Sequence, residues 1–259
     1  MNNLDHIFAQ FAALAYPSRR AEVAVPDGWE CLWIDHKDVQ GVYAWNRDLR
    51  QRILAIAGTN EPNDFVSDVN FIPRSIIQPN GETLVVHDGF WAHADQLAGY
   101  LSATALIPDK SDFPLTIVGH SLGGAVAGMI PLFRPQMQFH RIVTFGCPRW
   151  LRKETAGNYM HCDRTTRYVR PMDLVPDVPL NLNYRRIHYP IGGWSHCGSM
   201  RWLMNDGKRI PEHTSSWDIG RHIYRTLVYL KTFPWNFDDR LKADHDVVNQ
   251  YLRCMRMGV

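Results

Sequence analysis

The sequence predicts an α/β fold in which a mostly parallel central sheet carries helices on both faces, and three observations predict it. From about residue 91 the hydrophobic pattern runs helix, strand, helix, strand, and such alternation implies parallel strands covered by helices. The run Leu115-Thr116-Ile117-Val118 is short and bounded, as a buried strand requires. The 259 residues, 45% of them hydrophobic, suffice for one well-filled core. No repeat, low-complexity tract or linker divides the chain, so residues 1–259 are read as one domain.

Leu4, Ile7, Phe8, Phe11, Leu14 and Ala15 recur at helical spacing, which makes the first segment an amphipathic helix that Pro17 stops. Short apolar runs at residues 31–34, 41–45 and 53–57 end in turn formers and read as neighbouring strands; residues 83–86 add another. Residues 91–105 are helical in spacing, 115–118 a strand, 122–133 a helix, 141–145 a strand and 167–170 a further strand. A proline-rich loop follows through Pro171, Pro176 and Pro179, then a tryptophan-rich stretch, then two terminal helices at about residues 217–230 and 244–255.

Composition excludes several classes. The formal net charge is +2 and the basic residues are scattered, so there is no stripe for nucleic acid. Each apolar stretch is broken by Arg, Asp, His or Pro before it reaches membrane-spanning length. The start carries Asp5 and no early Lys or Arg, unlike a signal peptide, so a cytoplasmic location is expected. The five cysteines are widely spaced and odd in number, which favours free thiols. His161-Cys162 and His196-Cys197 lack the spacing that presents two ligands to one zinc ion, and no metal or other cofactor is expected.

The chemistry centres on Gly119-His120-Ser121-Leu122-Gly123. A serine on a tight strand-to-helix turn needs glycines beside it so that the backbone can bend, and the turn exposes the hydroxyl. It also leaves the N–H of Leu122 at a helix start, where it can stabilise an oxyanion. Three fixed positions recur by chance in roughly one chain in ten of this length, so the motif alone is weak. The strand before it and the small-residue run Gly124-Ala125-Val126-Ala127-Gly128 after it supply the context the turn requires.

These residues, with Thr144-Phe145-Gly146-Cys147-Pro148-Arg149 and Asp173-Leu174-Val175-Pro176, resemble the class 3 lipases, an α/β-hydrolase family of triacylglycerol lipases, phospholipases and related esterases. Gly58-Thr59, Asp64-Phe65 with Asp68, and His87-Asp88-Gly89-Phe90 extend the resemblance in the family's order. It implies the α/β-hydrolase fold, a Ser121 nucleophile and hydrolysis of carboxylic esters without a cofactor.

In that fold the acid and histidine follow the serine in order. Asp173 stands just beyond the strand at 167–170, at the end where parallel sheets build their sites, and the family's Asp-x-Val-Pro motif falls on it. Asp163 and Asp177 read as turn or solvated carboxylates. Five histidines follow: His188, His196, His213, His222 and His245. Order does not choose among them. His245, at the start of the last predicted helix, resembles the family's late histidine and is favoured; the tyrosine after it, Tyr251, stands one residue further along than in the family's pattern. His222 resembles the pattern of the fungal members, although on its helix it would equally edge the core beside Ile219, Ile223 and Leu227.

The second oxyanion donor is expected after an early strand. By resemblance it is the backbone N–H of Thr59; Ala57 replaces the arginine that the family often carries before Gly58. A segment within residues 60–83 holds Phe65, Val66, Phe71, Ile72, Ile76 and Ile77 among prolines, and reads either as a lid that meets a lipid interface or as plain core cover. The expected function is hydrolysis of acylglycerols or related lipid esters through an acyl-enzyme. A phospholipase, a short-chain esterase or an idle binding protein of the same fold are the alternatives.

Overall fold

The computed structural model describes residues 4–59, 72–179, 193–211 and 237–257, and in it the chain builds two sheets. The larger has eight strands in the order β1 (Glu30–His36), β2 (Val39–Asn46), β3 (Gln51–Ile56), β6 (Leu115–His120), β7 (Arg141–Phe145), β9 (Thr165–Val169), β11 (Ser199–Leu203) and β12 (Arg209–Pro211). From β3 to β11 every pairing is parallel, while β1, β2 and β12 run antiparallel to their neighbours. The smaller sheet is antiparallel, in the order β10 (Trp194–Ser195), β8 (Leu151–Arg152), β5 (Thr83–His87) and β4 (Pro73–Ile77).

Side chains of successive strand residues point to opposite faces, so a strand covered on both sides must be apolar throughout. In β3, Ile53 and Ala55 enter the layer formed by α1 (Asp5–Leu14), while Leu54 and Ile56 enter the layer formed by α2 (Asp88–Thr104) and α3 (Leu122–Phe133). Three C-terminal helices, α4 (Phe237–His245), a π-helix (Val247–Leu252) and α5 (Arg253–Met257), follow; Val247, Tyr251, Leu252, Cys254 and Met255 pack with α1. The α/β-hydrolase arrangement predicted from the sequence is therefore present.

The elements differ from the sequence reading in three places. The strand at residues 83–86 belongs to the smaller sheet, because a tight turn at Gln78–Glu82, closed by Gly81 N–H to Gln78 O (2.9 Å), folds β5 back on β4. Residues 60–71 of the predicted lid segment lie outside the described residues, and 73–82 form edge strand β4 and its turn, with Ile72 and Ile77 exposed. The last predicted helix is split: Asp246 is extended (φ −60°, ψ 125°), and its carboxylate accepts the N–H groups of Val248 and Asn249 at 2.8 and 2.7 Å. His245 thus ends one helix, where the sequence had placed it at the start of another. The helix expected at residues 217–230 lies outside the described residues, as do His188, His213, His222, Asp64, Phe65 and Asp68. Among the described residues no helix is long and apolar enough to cross a membrane.

Candidate active site

Ser121 sits between β6 and α3 with φ 58° and ψ −133°, a backbone conformation that costs a non-glycine residue energy and that persists only where the surroundings enforce it. Two glycines make the turn sterically feasible. A methyl on Gly119 would fall 2.1 Å from the oxygen of Gly123, and one on Gly123 would fall 2.3 Å from the oxygen of Ile56. The first N–H groups of α3, Leu122 among them, have no acceptor within the helix.

The structure joins two of the distant candidates directly. His245 Nδ1 donates to Asp173 Oδ2 at 2.8 Å, and both side chains are buried. The same oxygen accepts the Tyr251 hydroxyl at 2.5 Å, and Oδ1 accepts the N–H of Val175 at 2.9 Å. Burial, with the negative charge of Asp173, holds the Tyr251 phenol far above its ordinary range, so it stays a donor. Tyr251 reaches Asp173 from the π-helix Val247–Leu252. Gly146, at φ 59° after β7, lets the pair approach the sheet.

His245 reaches Ser121 through its neighbour: the ring of His120 stacks on that of His245 with centroids 4.5 Å apart. Ser121 Oγ and His245 Nε2 are both buried and make no hydrogen bond among the described residues. Buried polar atoms left unsatisfied are costly, and structural packing alone would avoid them.

His120 organises the surroundings. Its Nε2 lies 2.9 Å from the carbonyl oxygen of His245, which can only accept, so that nitrogen carries the proton. Its Nδ1 then accepts from Tyr16 OH at 2.8 Å, and Tyr16 in turn accepts the N–H of Gly58 at 2.8 Å. One directed chain of hydrogen bonds runs from the Gly58-Thr59 loop to the backbone of His245. It pins the loop where the sequence lacks the family's arginine at Ala57. A methyl on Gly58 would fall 2.6 Å from Ser121 Cβ, which places Thr59 beside the serine. Thr59 lines a cleft of about 370 Å³ with Tyr16, Ser18, Arg19, Glu22, His120, Lys242, His245, Asp246 and Val247. Arg19 bridges Glu22 (3.0 Å) and Asp246 at its rim.

Sequence reasoning missed Tyr16 and the role of His120. The available signal was slight: a tyrosine at the point where α1 must stop before Pro17, and a histidine in a motif position that the chemistry does not specify. His87 is buried and His196 half-buried. His87 caps α2, accepting the N–H of Phe90 at 3.4 Å, and His196 Nε2 meets the oxygen of Pro176 at 2.7 Å.

Burial lowers the pKa of His161 and, more strongly, of three other histidines: His87 to about 4, and His120 and His196 well below the ordinary value. For His120 the neighbouring His245 adds to burial, and for His196 Arg167 does. Above pH 6.5 or so the folded and unfolded chains both keep these rings neutral, and they add no pH dependence. Below it the unfolded chain binds protons that the folded chain refuses, so stability falls with pH. From pH 6.5 to 5.5 the expected loss is about 1 kcal/mol for each of the three strongly shifted histidines, roughly 3 kcal/mol in all. Urea unfolding at the two pH values checks this, and equal midpoints would contradict it.

With this geometry in view, the comparisons with known proteins are consistent. The sequence model of the family "Lipase (class 3)" matches residues 53–183. A search of curated proteins finds no match. Among solved structures, the triacylglyceride lipase of Rhizomucor miehei aligns with a TM-score of 0.68 at 17% identity, over 98% of this chain and 96% of that one. A lipase of Yarrowia lipolytica aligns at 0.60 with 19% identity over 78% of each chain. A triacylglycerol lipase whose catalytic centre is described as a serine protease triad aligns at 0.65 with 20% identity, over 81% of this chain and 82% of that one. Identities this low carry the fold, and the family match carries the membership. The chain belongs to the class 3 lipases, serine ester hydrolases of the α/β-hydrolase fold.

Proposed function

We propose that the chain hydrolyses acylglycerols or related lipid esters, with Ser121 as nucleophile, His245 as base, Asp173 as the orienting acid, and the N–H groups of Thr59 and Leu122 as the oxyanion hole. The observation that carries this reading is the buried 2.8 Å His245–Asp173 pair beside a serine held in a strained turn. His245 takes the Ser121 proton as Oγ attacks the ester carbonyl, and the charge on the carbonyl oxygen develops toward the two N–H groups. The alcohol leaves with the proton from His245. Water then repeats the sequence on the acyl-enzyme and frees the acid. Asp173 holds the imidazole with Nδ1 protonated, which presents Nε2 to the serine.

The charged rim of the cleft, Arg19, Glu22, Lys242 and Asp246, favours a second reading within the same chemistry, an ester with a short acyl chain or a polar head. All five cysteines are free thiols, which supports a reducing location such as the cytoplasm. A fluorophosphonate probe should label Ser121 alone, mapped by peptide mass, and a folded protein that takes no label would sink the proposal. Hydrolysis measured across acyl chain lengths separates the readings. A rise in rate above the substrate's aggregation point favours lipid substrates, and a maximum on short soluble esters favours the second reading.

A further inference from the structure

Cys162 and Cys197 are far apart in the sequence, yet the parallel pairing of β9 with β11 sets Ser199 opposite Thr166 and so brings the segments that enter both strands side by side. Cys162 opens the short 3-10 turn Cys162–Arg164 that leads into β9; Cys197 follows β10 and leads into β11. The backbone between them is tightly fitted. A methyl on Gly198 would fall 2.5 Å from the oxygen of Thr165, and the Gly198 N–H donates to Cys162 Sγ at 3.0 Å. That contact sets the Cys197–Gly198 backbone against Cys162 Sγ, and the two thiols interact.

The two sulfurs are not equivalent. Cys162 is partly exposed, whereas Cys197 is buried in the core that α2 and α3 share with the sheet. Interaction with the donor thiol of Cys197, the Gly198 N–H and the buried Arg167 cation bring the Cys162 thiol down to about 6, against burial and the charge of Asp163. Cys197, the donor, is held well above its ordinary value. An accessible, stabilised thiolate next to a buried thiol is the arrangement of an attacking and a resolving cysteine. Among the described residues no three His, Cys, Asp or Glu side chains converge as metal ligands, so a metal cluster does not compete for the pair.

We propose that Cys162 and Cys197 form a hydroperoxide-responsive thiol pair that closes to a disulfide, a modification site separate from the ester-hydrolysing centre. The Cys162 thiolate attacks one peroxide oxygen; the O–O bond breaks, hydroxide leaves and is protonated to water, and Cys162 becomes a sulfenic acid. Cys197 sulfur then attacks Cys162 sulfur, the S–O bond breaks, and the departing hydroxide takes the Cys197 proton as a second water. The two thiols supply both electrons and the peroxide receives them. The cross-link closes the segment of chain that contains Asp173.

The test exposes the purified full chain to one or two equivalents of hydrogen peroxide, traps the remaining thiols and maps the peptides. The free-thiol count should fall from five to three, with one Cys162–Cys197 cross-linked peptide and recovery on reduction with dithiothreitol. Closing this segment should also raise the melting temperature by roughly 5 °C or more. In Cys197→Ser the sulfenic acid should persist and be trapped by dimedone on Cys162, and in Cys162→Ser the remaining thiols should survive the same dose. Oxidation that starts at Cys31 or Cys254, a bridge to Cys147, or a folded protein with all five thiols intact would overturn the proposal. The readout counts thiols, so a Ser121→Ala protein must behave identically whether or not the hydrolase assignment stands.

Discussion

Ser121→Ala and His245→Ala are each expected to lower kcat on a chromogenic ester by about 10⁴- to 10⁶-fold, and the double variant should be scarcely worse than either, because a nucleophile and its base act as one unit. The residual rate would come from the oxyanion donors and from substrate binding. His222→Ala, tested in parallel, should keep activity within a few-fold. This comparison bears on the one assignment that chain order could not make. His245 is favoured by its 2.8 Å bond to Asp173, by the stacking of His120 and by a buried Nε2 that makes no hydrogen bond among the described residues. A His245→Ala enzyme retaining more than a tenth of wild-type kcat, with its far-UV spectrum unchanged, would remove it from the role.

Gly146→Ala should reduce kcat by roughly 10²- to 10³-fold with little change in KM. The backbone there has φ 59°, where a side chain costs about 1 to 2 kcal/mol. The larger effect is local: the new methyl would stand 2.7 Å from His245 Cε1 and 2.8 Å from Asp173 Oδ2, closer than such atoms approach. Imidazole and carboxylate must move, and a shift of about 1 Å in a reacting group is worth on the order of 100-fold. The melting temperature should fall by a few degrees. Steady-state kinetics and a thermal melt check both effects together, and a variant that melts earlier but turns over normally would show that the pair tolerates displacement.

Much of this architecture was legible in the sequence. The β6–α3 unit was predicted from an apolar strand, a glycine-flanked serine and a run of small residues, and local pattern sufficed because the unit is built from contiguous chain. Asp173 stood out as a candidate because a motif and a strand end coincided on it, and its bond to His245 joins two of the candidates. The smaller sheet was not legible: β8 and β10 have two residues each, too few to show any period. The roles of Tyr16, His120 and Tyr251 were hidden for another reason. Their hydrogen bonds join residues 104, 125 and 78 positions apart, and no periodicity reports such distances. The break at Asp246 was masked by a hydrophobic pattern that continues through it, although an aspartate followed by two residues able to donate their N–H groups is a capping signal.

The chain of bonds from Gly58 through Tyr16 and His120 to His245 has a consequence for the order in which activity appears during folding. The serine turn draws on neighbours close in sequence and costs little loop entropy to form. His245, the proposed base, depends on the segment after α1 meeting residues near the C-terminus, with Arg19 paired to Asp246 across 227 positions. Such non-local contacts are the slow ones to form. A refolding molecule would therefore bend Ser121, the proposed nucleophile, into place before His245 could meet it, and recovery of hydrolysis would lag behind recovery of the sheet.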